Sequence, residues 1–148
     1  MNPFYVSAAL ILLGGALVSV QAPLNATLSR AVGGPVNAAL VSFLVGSLAL
    51  GTLALILRDK VDPAAMKALP WWAWVGGVCG AVFVATAAYA APKLGVATML
   101  TLAVASQLVT AVALDHVGAF GLPKQEVSPG RLLGVALVIA GVVLVRRF

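Results

Sequence analysis

Five stretches without any Asp, Glu, Lys or Arg dominate this sequence and limit what it can fold into. The uncharged runs are residues 2–29, 31–57, 68–92, 94–114 and 132–145. A helix needs about 20 apolar residues to cross about 30 Å of hydrocarbon, and the first four runs are long enough. The fifth covers only about 21 Å as a helix. It spans if Arg131 and Arg146 extend their side chains to the two headgroup layers.

The composition also makes lipid the solvent of this chain. Of its 148 residues, 62% are hydrophobic and 9% are charged, whereas a soluble domain has about 25% charged residues. We therefore expect an all-α integral membrane helix bundle, a single transmembrane domain over residues 1–148, in the bacterial inner (plasma) membrane. The predicted spans are residues 4–29, 35–57, 71–91, 94–115 and 130–147.

The segments between the runs contain residues that begin or end helices. Pro35 follows two glycines and suits the first turn of the second span. Residues 58–70 are predicted to form a polar loop, and the tryptophans at 71, 72 and 74 to anchor the third span at the membrane interface. Pro92 and Lys93 predict a tight turn into the fourth span, and residues 116–130 form the longest loop.

The positive charges are distributed in a way that bears on topology. The net charge is +5, but the cations flank apolar runs instead of lining one face, so we expect no nucleic-acid binding. With five spans, one side has Arg58, Lys60, Lys67, Lys124 and Arg131, and the other has Arg30, Lys93, Arg146 and Arg147.

The difference between five and four positive charges is a small bias between the two sides, and it allows two interpretations. Insertion in both orientations would allow an antiparallel homodimer with inverted symmetry. Alternatively, one or two well-placed charges fix a single orientation. If the fifth run does not cross, Arg146 and Arg147 change sides and the bias becomes strong.

Polar residues inside the spans are the candidates for substrate contacts, because polar groups in hydrocarbon require partners. Gln21 and Asn25 lie four residues apart on one face of the first span. Pro23 between them cannot donate to the carbonyl of Ser19, which should kink the helix and free an acceptor. The alternative is that both amides only hold helices together.

Three further residues complete the predicted substrate site. Asn37 lies just inside the second span, Tyr89 in the third and Gln107 in the fourth. Each of them alone is more typical of helix packing than of ligand binding, and convergence on one cavity would reverse that balance. Tyr89 could offer an aromatic face to an organic cation.

The sequence argues against enzymatic chemistry. It contains no phosphate-binding loop, no zinc-protease motif and no paired carboxylates within a span. Cys79 is the single cysteine and has no companion for a metal site. We expect no cofactor and no metal. Asp115 and His116 at the end of the fourth span are interpreted as an interfacial, solvated pair.

Parts of the sequence resemble a known family. Residues 89–121 (YAAPKLGVATMLTLAVASQLVTAVALDHVGAFG) and 131–147 (RLLGVALVIAGVVLVRR) are similar to one five-helix half of the drug/metabolite transporter superfamily. Residues 19–46 (SVQAPLNATLSRAVGGPVNAALVSFLVG) resemble its short YdcZ-like branch. The resemblance implies a five-span subunit that needs a second, oppositely oriented copy to form a transport path. In related small multidrug resistance proteins an acidic residue in the first helix couples protons, and this chain has none there.

These observations predict a small-molecule transporter that works by alternating access as an antiparallel homodimer in the lipid bilayer. Gln21, Asn25, Tyr89 and Gln107 would line the cavity. The alternative is a non-transporting membrane subunit or a packing partner of a second membrane protein. A passive channel fits less well, because no ring of charges or run of glycine-rich carbonyls suggests a filter.

Overall fold

The computed structural model describes residues 3–58 and 60–148, which form helices joined by short connections. The helices are α1 (Pro3–Ala31), α2 (Pro35–Leu57), α3 (Pro63–Lys67), α4 (Val75–Leu94), α5 (Val96–Val117) and α6 (Pro129–Arg147). A 3₁₀ turn at Trp71–Trp74 leads into α4, and another at Ala119–Gly121 follows α5. Five helices, all but α3, are long and apolar enough to cross a membrane. The predicted all-α fold with five spans is confirmed.

The weakest predicted span is a full helix. Pro129–Arg147 has 19 residues, because Pro129 occupies the first turn and the Ser128 Oγ accepts a hydrogen bond from the backbone N–H of Arg131. The helix therefore begins before the uncharged run and ends after it. At 1.5 Å per residue it covers about 28 Å, close to the thickness of the hydrocarbon layer.

The connection between α4 and α5 differs from the sequence-based expectation. The chain does not turn at Pro92 and Lys93, since α4 continues to Leu94 and the break falls at Gly95, where φ is 81°. A proline in the last helical turn removes only one backbone hydrogen bond, whereas the change of direction needs a positive φ that glycine adopts freely.

The segment between α2 and α4 contains the short helix α3. Asp62 caps this helix, because its Oδ1 accepts a hydrogen bond from the Ala64 N–H at 2.9 Å, and Pro63 fits the first turn. Asp59, part of the predicted polar loop, lies outside the described residues.

The backbone contacts divide the chain into two compact units, Met1–Lys93 and Leu94–Phe148. In the first unit α1 and α2 lie in backbone contact, and in the second α5 and α6 do the same. Each unit is described by itself below. The single transmembrane domain over residues 1–148 stays a prediction.

The buried side chains are few and mostly small. Among the described residues they are Ala22, Asn25, Ala26, Ala38, Ala39, Val84, Ala87, Ala88, Ala91, Met99 and Val142. Most leucines and many valines of the spanning helices are exposed, as expected for side chains that contact lipid. Without a hydrophobic driving force between helices in lipid, small residues provide association by allowing the backbones to approach closely.

A network of polar contacts connects the end of α5 to the start of α6. Arg131 Nη1 donates to Asp115 Oδ2 at 3.2 Å and Nη2 donates to the side-chain oxygen of Gln125. The Gln125 backbone N–H donates to the Asp115 carbonyl at 2.8 Å. The Val127 N–H approaches His116 Nδ1 at 3.4 Å. The Asp115 side chain, which was expected to be solvated together with His116, is only about one-third exposed, whereas His116 is exposed.

This connection yields a stability prediction based on two glycines. Gly118 (φ 62°) and Gly121 (φ 80°) both have left-handed backbones, so alanine at either should cost about 1–2 kcal/mol. A Cβ at Gly118 would also lie 3.2 Å from the Leu122 carbonyl oxygen, whereas a Cβ at Gly121 meets no described atom within 4 Å. Gly118→Ala should therefore lower the thermal unfolding midpoint in detergent more than the matched control Gly121→Ala. Equal midpoints would contradict the packing of this loop.

Candidate functional site

The polar face predicted on the first span lies on α1, and its two amides differ in exposure. Asn25 is only 5% exposed, between the buried alanines Ala22 and Ala26. Gln21, one turn earlier, is half-buried. Asn25 is the one polar residue among the buried side chains of residues 3–58 and 60–148. Burial within an apolar environment therefore distinguishes Asn25 from the other candidates.

The Asn25 side chain has unused hydrogen-bonding capacity. No hydrogen bond joins its amide to another group in the described part of the chain, and a carboxamide has two donors and an acceptor oxygen. Among the described residues, every side-chain nitrogen or oxygen that is fully enclosed has a hydrogen-bond partner. The Asn25 amide has no such partner, so its atoms still reach the molecular surface. A polar group withdrawn from water without a partner costs about 1–3 kcal/mol. The Asn25 amide is therefore suited to accept and donate hydrogen bonds to a bound molecule.

Asn25 lies within the first span, nearer to its end than to its middle. It is six residues before Ala31, where α1 ends, a distance of about 9 Å along a helix. Phe43 lies eight residues after Pro35, where α2 begins, a distance of about 12 Å. Both side chains therefore lie inside the spanning helices, on the side of the turn between α1 and α2.

An apolar cleft separates α2 from α4 within the first unit. Its volume is about 450 Å³. It is lined by Val36, Ala39, Leu40 and Phe43 of α2 and by Ala81, Val82 and Ala85 of α4. The Phe43 ring reaches α4 because Gly80 has no side chain, since a Cβ there would lie 3.3 Å from the ring carbon Cζ. None of the lining side chains has a hydrogen-bonding group.

Two other predicted site residues have local partners. Asn37 Nδ2 donates to the Val32 carbonyl at 2.8 Å, which satisfies an acceptor at the end of α1. Lys93 Nζ lies 3.3 Å from the centroid of the Tyr89 ring, one helical turn away on α4. One face of the Tyr89 ring, which was predicted to attract an organic cation, is thus covered by a cation of the protein itself.

Gln107 lies on α5, in the second unit, and its side chain is exposed. Thr110, one turn later, donates its hydroxyl to the Ser106 carbonyl at 2.9 Å, a bond within the helix. The predicted substrate-binding role of Gln107 therefore stays a prediction, as do the roles of the four predicted residues of the first unit.

The sequence did not identify the cleft residues as site candidates. Phe43, Ala81 and Ala85 are ordinary residues of apolar spans, and only the spatial relation of α2 to α4 distinguishes them. The nearest signal in the sequence is Gly80, because glycine in a spanning helix often marks a close approach. In residues 3–58 and 60–148 no group of three or more His, Cys, Asp or Glu side chains could hold a metal ion.

These features define the class of the protein: a small integral membrane protein with five spanning helices and a largely buried, uncharged polar side chain inside the first span. The sequence profile of the family described as "Putative inner membrane exporter, YdcZ" matches residues 6–144. The chain belongs to this family. It is also similar to "Inner membrane protein YdcZ" of Escherichia coli (strain K12), with 30% identity over 82 residues, 55% of this chain and 54% of that protein. The match thus spans about half the length of this relative. No solved structure matches the chain.

Family membership settles several predictions. The resemblance to the YdcZ-like branch is confirmed, and so is the location as an integral protein of the inner membrane. The description of the family names export across the inner membrane and no enzymatic activity. The substrate, the oligomeric state and the mechanism are separate questions.

The contrast between two asparagines gives a second prediction. Asn37→Leu should lower the free energy of unfolding by about 1 kcal/mol, because it removes an observed hydrogen bond. Asn25→Leu should leave it unchanged or raise it, because it replaces an unpaired, largely buried amide with an apolar side chain. Unfolding of both variants can be followed by circular dichroism in detergent. A larger loss at Asn25 than at Asn37 would show that the Asn25 amide has a partner within the chain.

Proposed function

We propose that this protein is a small-molecule exporter that works by alternating access as an antiparallel homodimer, with Asn25 and Gln21 contacting the substrate. The observation on which the proposal chiefly rests is the amide of the largely buried Asn25, which lies inside the first span and has no hydrogen-bond partner among the described residues. A polar group with no structural partner inside a span lowers stability, so its presence favours a functional role. Membership of an exporter family supports transport as that role.

The open glycines of the spanning helices support a second copy. At eight of them an added Cβ would meet no described atom within 4 Å beyond the backbone of its own helix: Gly14, Gly15, Gly46, Gly51, Gly76, Gly77, Gly134 and Gly141. Glycine in spanning helices favours close helix packing but is costly in helix propensity. Helices of another chain are the partners that such surfaces fit.

The distribution of cations supports opposite orientations for the two copies. Five cations lie on one side of the five spans and four on the other. Two oppositely inserted copies would form a pair in which the inward-facing and outward-facing states are related by symmetry. Rocking of the helices between the two states then alternates access to a site inside the membrane.

Transport can be tested without knowing the solute. Proteoliposomes that contain the purified chain are loaded with a bacterial metabolite extract, and solutes lost faster than from protein-free liposomes are identified by mass spectrometry. Asn25→Leu and Gln21→Leu should slow this efflux about tenfold, the effect of losing a hydrogen bond of about 1.4 kcal/mol. Thr52→Val is the matched control, since the Thr52 hydroxyl bonds only the Leu48 carbonyl of its own helix. Undiminished efflux with folded Asn25→Leu would remove Asn25 from the site.

Orientation and assembly give a further prediction. Reporters fused to the C-terminus, one active only in the cytoplasm and one only outside it, should both be active. The intact complex in detergent should have twice the mass of the 14.9 kDa chain. Activity on a single side would contradict dual insertion. Recovery with a different polypeptide, together with an absence of efflux, would favour the alternative function of a non-transporting subunit.

A further inference from the structure

We infer that the segment before α4 binds an anionic phospholipid, with the Lys67 ammonium on the lipid phosphate and Trp74 beside the first carbons of an acyl chain. The inference concerns a surface outside the candidate substrate site, so it does not depend on the proposed transport function. It rests on three observations within the described residues: a pocket, the depth of this pocket in the membrane, and a cation without a carboxylate partner.

The first observation is a pocket of about 400 Å³ at the start of the third span. We call it the interfacial pocket, and it is lined by Pro63, Met66, Lys67, Leu69 and Trp74. All five residues are exposed in the chain. Four of them provide mainly apolar walls, and the fifth side chain ends in an ammonium group. The interfacial pocket therefore combines a surface for hydrocarbon with a single positive charge.

The second observation is the depth of the interfacial pocket. The third span, Trp71–Leu94, has 24 residues and covers about 36 Å as a helix, which exceeds a hydrocarbon thickness of about 30 Å. Its first turn, which contains Trp74, therefore reaches the headgroup layer, where tryptophan is enriched. Lys67 precedes this span by four residues, in the last turn of α3. A lysine at this position can lay its CH₂ groups against the pocket and place its ammonium among the lipid phosphates.

The third observation is that the Lys67 ammonium has no carboxylate partner among the described residues. The described acid of the same connection is Asp62, whose Oδ1 accepts a hydrogen bond from the Ala64 N–H at the start of α3. Residues 58–70 contain three cations and two acids, an excess of one cation. A phosphate group in the interfacial pocket would give the Lys67 ammonium the partner that it lacks.

Phospholipids differ in how much negative charge their headgroups offer to Lys67. In phosphatidylcholine the choline group neutralises the phosphate, whereas phosphatidylglycerol keeps the phosphate charge. A lysine near the membrane surface favours anionic lipid by about fivefold. The bilayer also supplies this ligand at the depth of the interfacial pocket, and a soluble protein would have to displace headgroups to reach it. The occupant that fits both the charge and the depth is therefore an anionic phospholipid.

The tryptophans make this surface directly measurable. The three tryptophans of the chain are Trp71, Trp72 and Trp74, so intrinsic tryptophan fluorescence reports on this segment alone. The full chain is reconstituted in mixed bilayers of phosphatidylcholine and phosphatidylglycerol, in which one lipid at a time has brominated acyl chains that quench nearby tryptophans. Comparison of the two labelled mixtures gives the relative affinity of the two lipids. We expect a preference of about fivefold or more for phosphatidylglycerol.

Three substitutions locate the preference. Lys67→Gln removes the ammonium and should bring the two lipids close to equal affinity. Lys67→Arg keeps a cation that binds phosphate, so it should retain the preference. Lys124→Gln is the matched control, because it removes the same charge from another connection, where Lys124 Nζ lies 3.7 Å from Glu126 Oε1. It should retain the preference as well, and all three variants keep the tryptophans.

Ionic strength provides an independent measurement on the unchanged chain. Raising it from about 0.1 M to about 1 M shortens the Debye length from about 10 Å to about 3 Å. The preference for phosphatidylglycerol should therefore fall, since it depends on the attraction between the ammonium and the phosphate. A preference that is insensitive to salt would contradict this origin.

Two further results would overturn the inference. Equal quenching by the two brominated lipids around the unchanged chain would remove the preference itself, and this measurement requires no substitution. A preference that survives Lys67→Gln, or that Lys124→Gln lowers as much as Lys67→Gln does, would remove Lys67 as its source. Loss of the preference in Lys67→Gln alone, with recovery in Lys67→Arg, supports the site in the interfacial pocket.

Discussion

The constraint on which this structure depends is the low tolerance of hydrocarbon for unpaired polar groups. A backbone in lipid must satisfy its hydrogen bonds within the segment, which leaves the helix as the solution for each apolar run. The same constraint moves charged side chains to the helix ends, where Arg131 pairs with Asp115 and Lys93 lies on Tyr89. Against this background the buried, unpaired Asn25 is an exception, and exceptions to such a rule concentrate at functional sites.

The way in which the chain packs follows from the same solvent. Lipid tails are as apolar as leucine, so burying a leucine against another helix gains little. The buried set is accordingly made mostly of alanines, while the larger apolar side chains are exposed. A bundle held by close contacts between small residues can shift between arrangements without losing a large hydrophobic core. This property suits a protein whose helices must move for transport.

Much of the fold could be predicted from one sequence because charge and turn residues mark the ends of the spans. The predicted span 35–57 coincides with α2, since Pro35 fits the first turn and Arg58 follows the last apolar residue. The end of α4 was harder to predict. Proline both breaks helices and is tolerated near their ends, and the structure uses Gly95 for the change of direction.

The candidate site was less accessible to sequence reasoning. Spacing identified Gln21 and Asn25 as one helix face, but it could not distinguish a buried amide from one bonded locally, as Asn37 is. It also could not show that a cation of the chain covers Tyr89. The apolar cleft depends on the approach of Phe43 to Gly80, a contact between residues far apart in sequence. Apolar residues in apolar spans give no periodic signal for such contacts.

The symmetry of the proposed dimer has a consequence for how transport would be driven. In the proposed antiparallel dimer the two access states are related by symmetry and have equal free energy, so neither the solute nor the empty site favours one of them. In the described spanning helices the one carboxylate, Asp115, lies two residues from the end of α5, so it is poorly placed to exchange a proton for a solute held deep in the membrane. Net movement of the solute through the proposed dimer would then follow the electrochemical gradient of the solute itself.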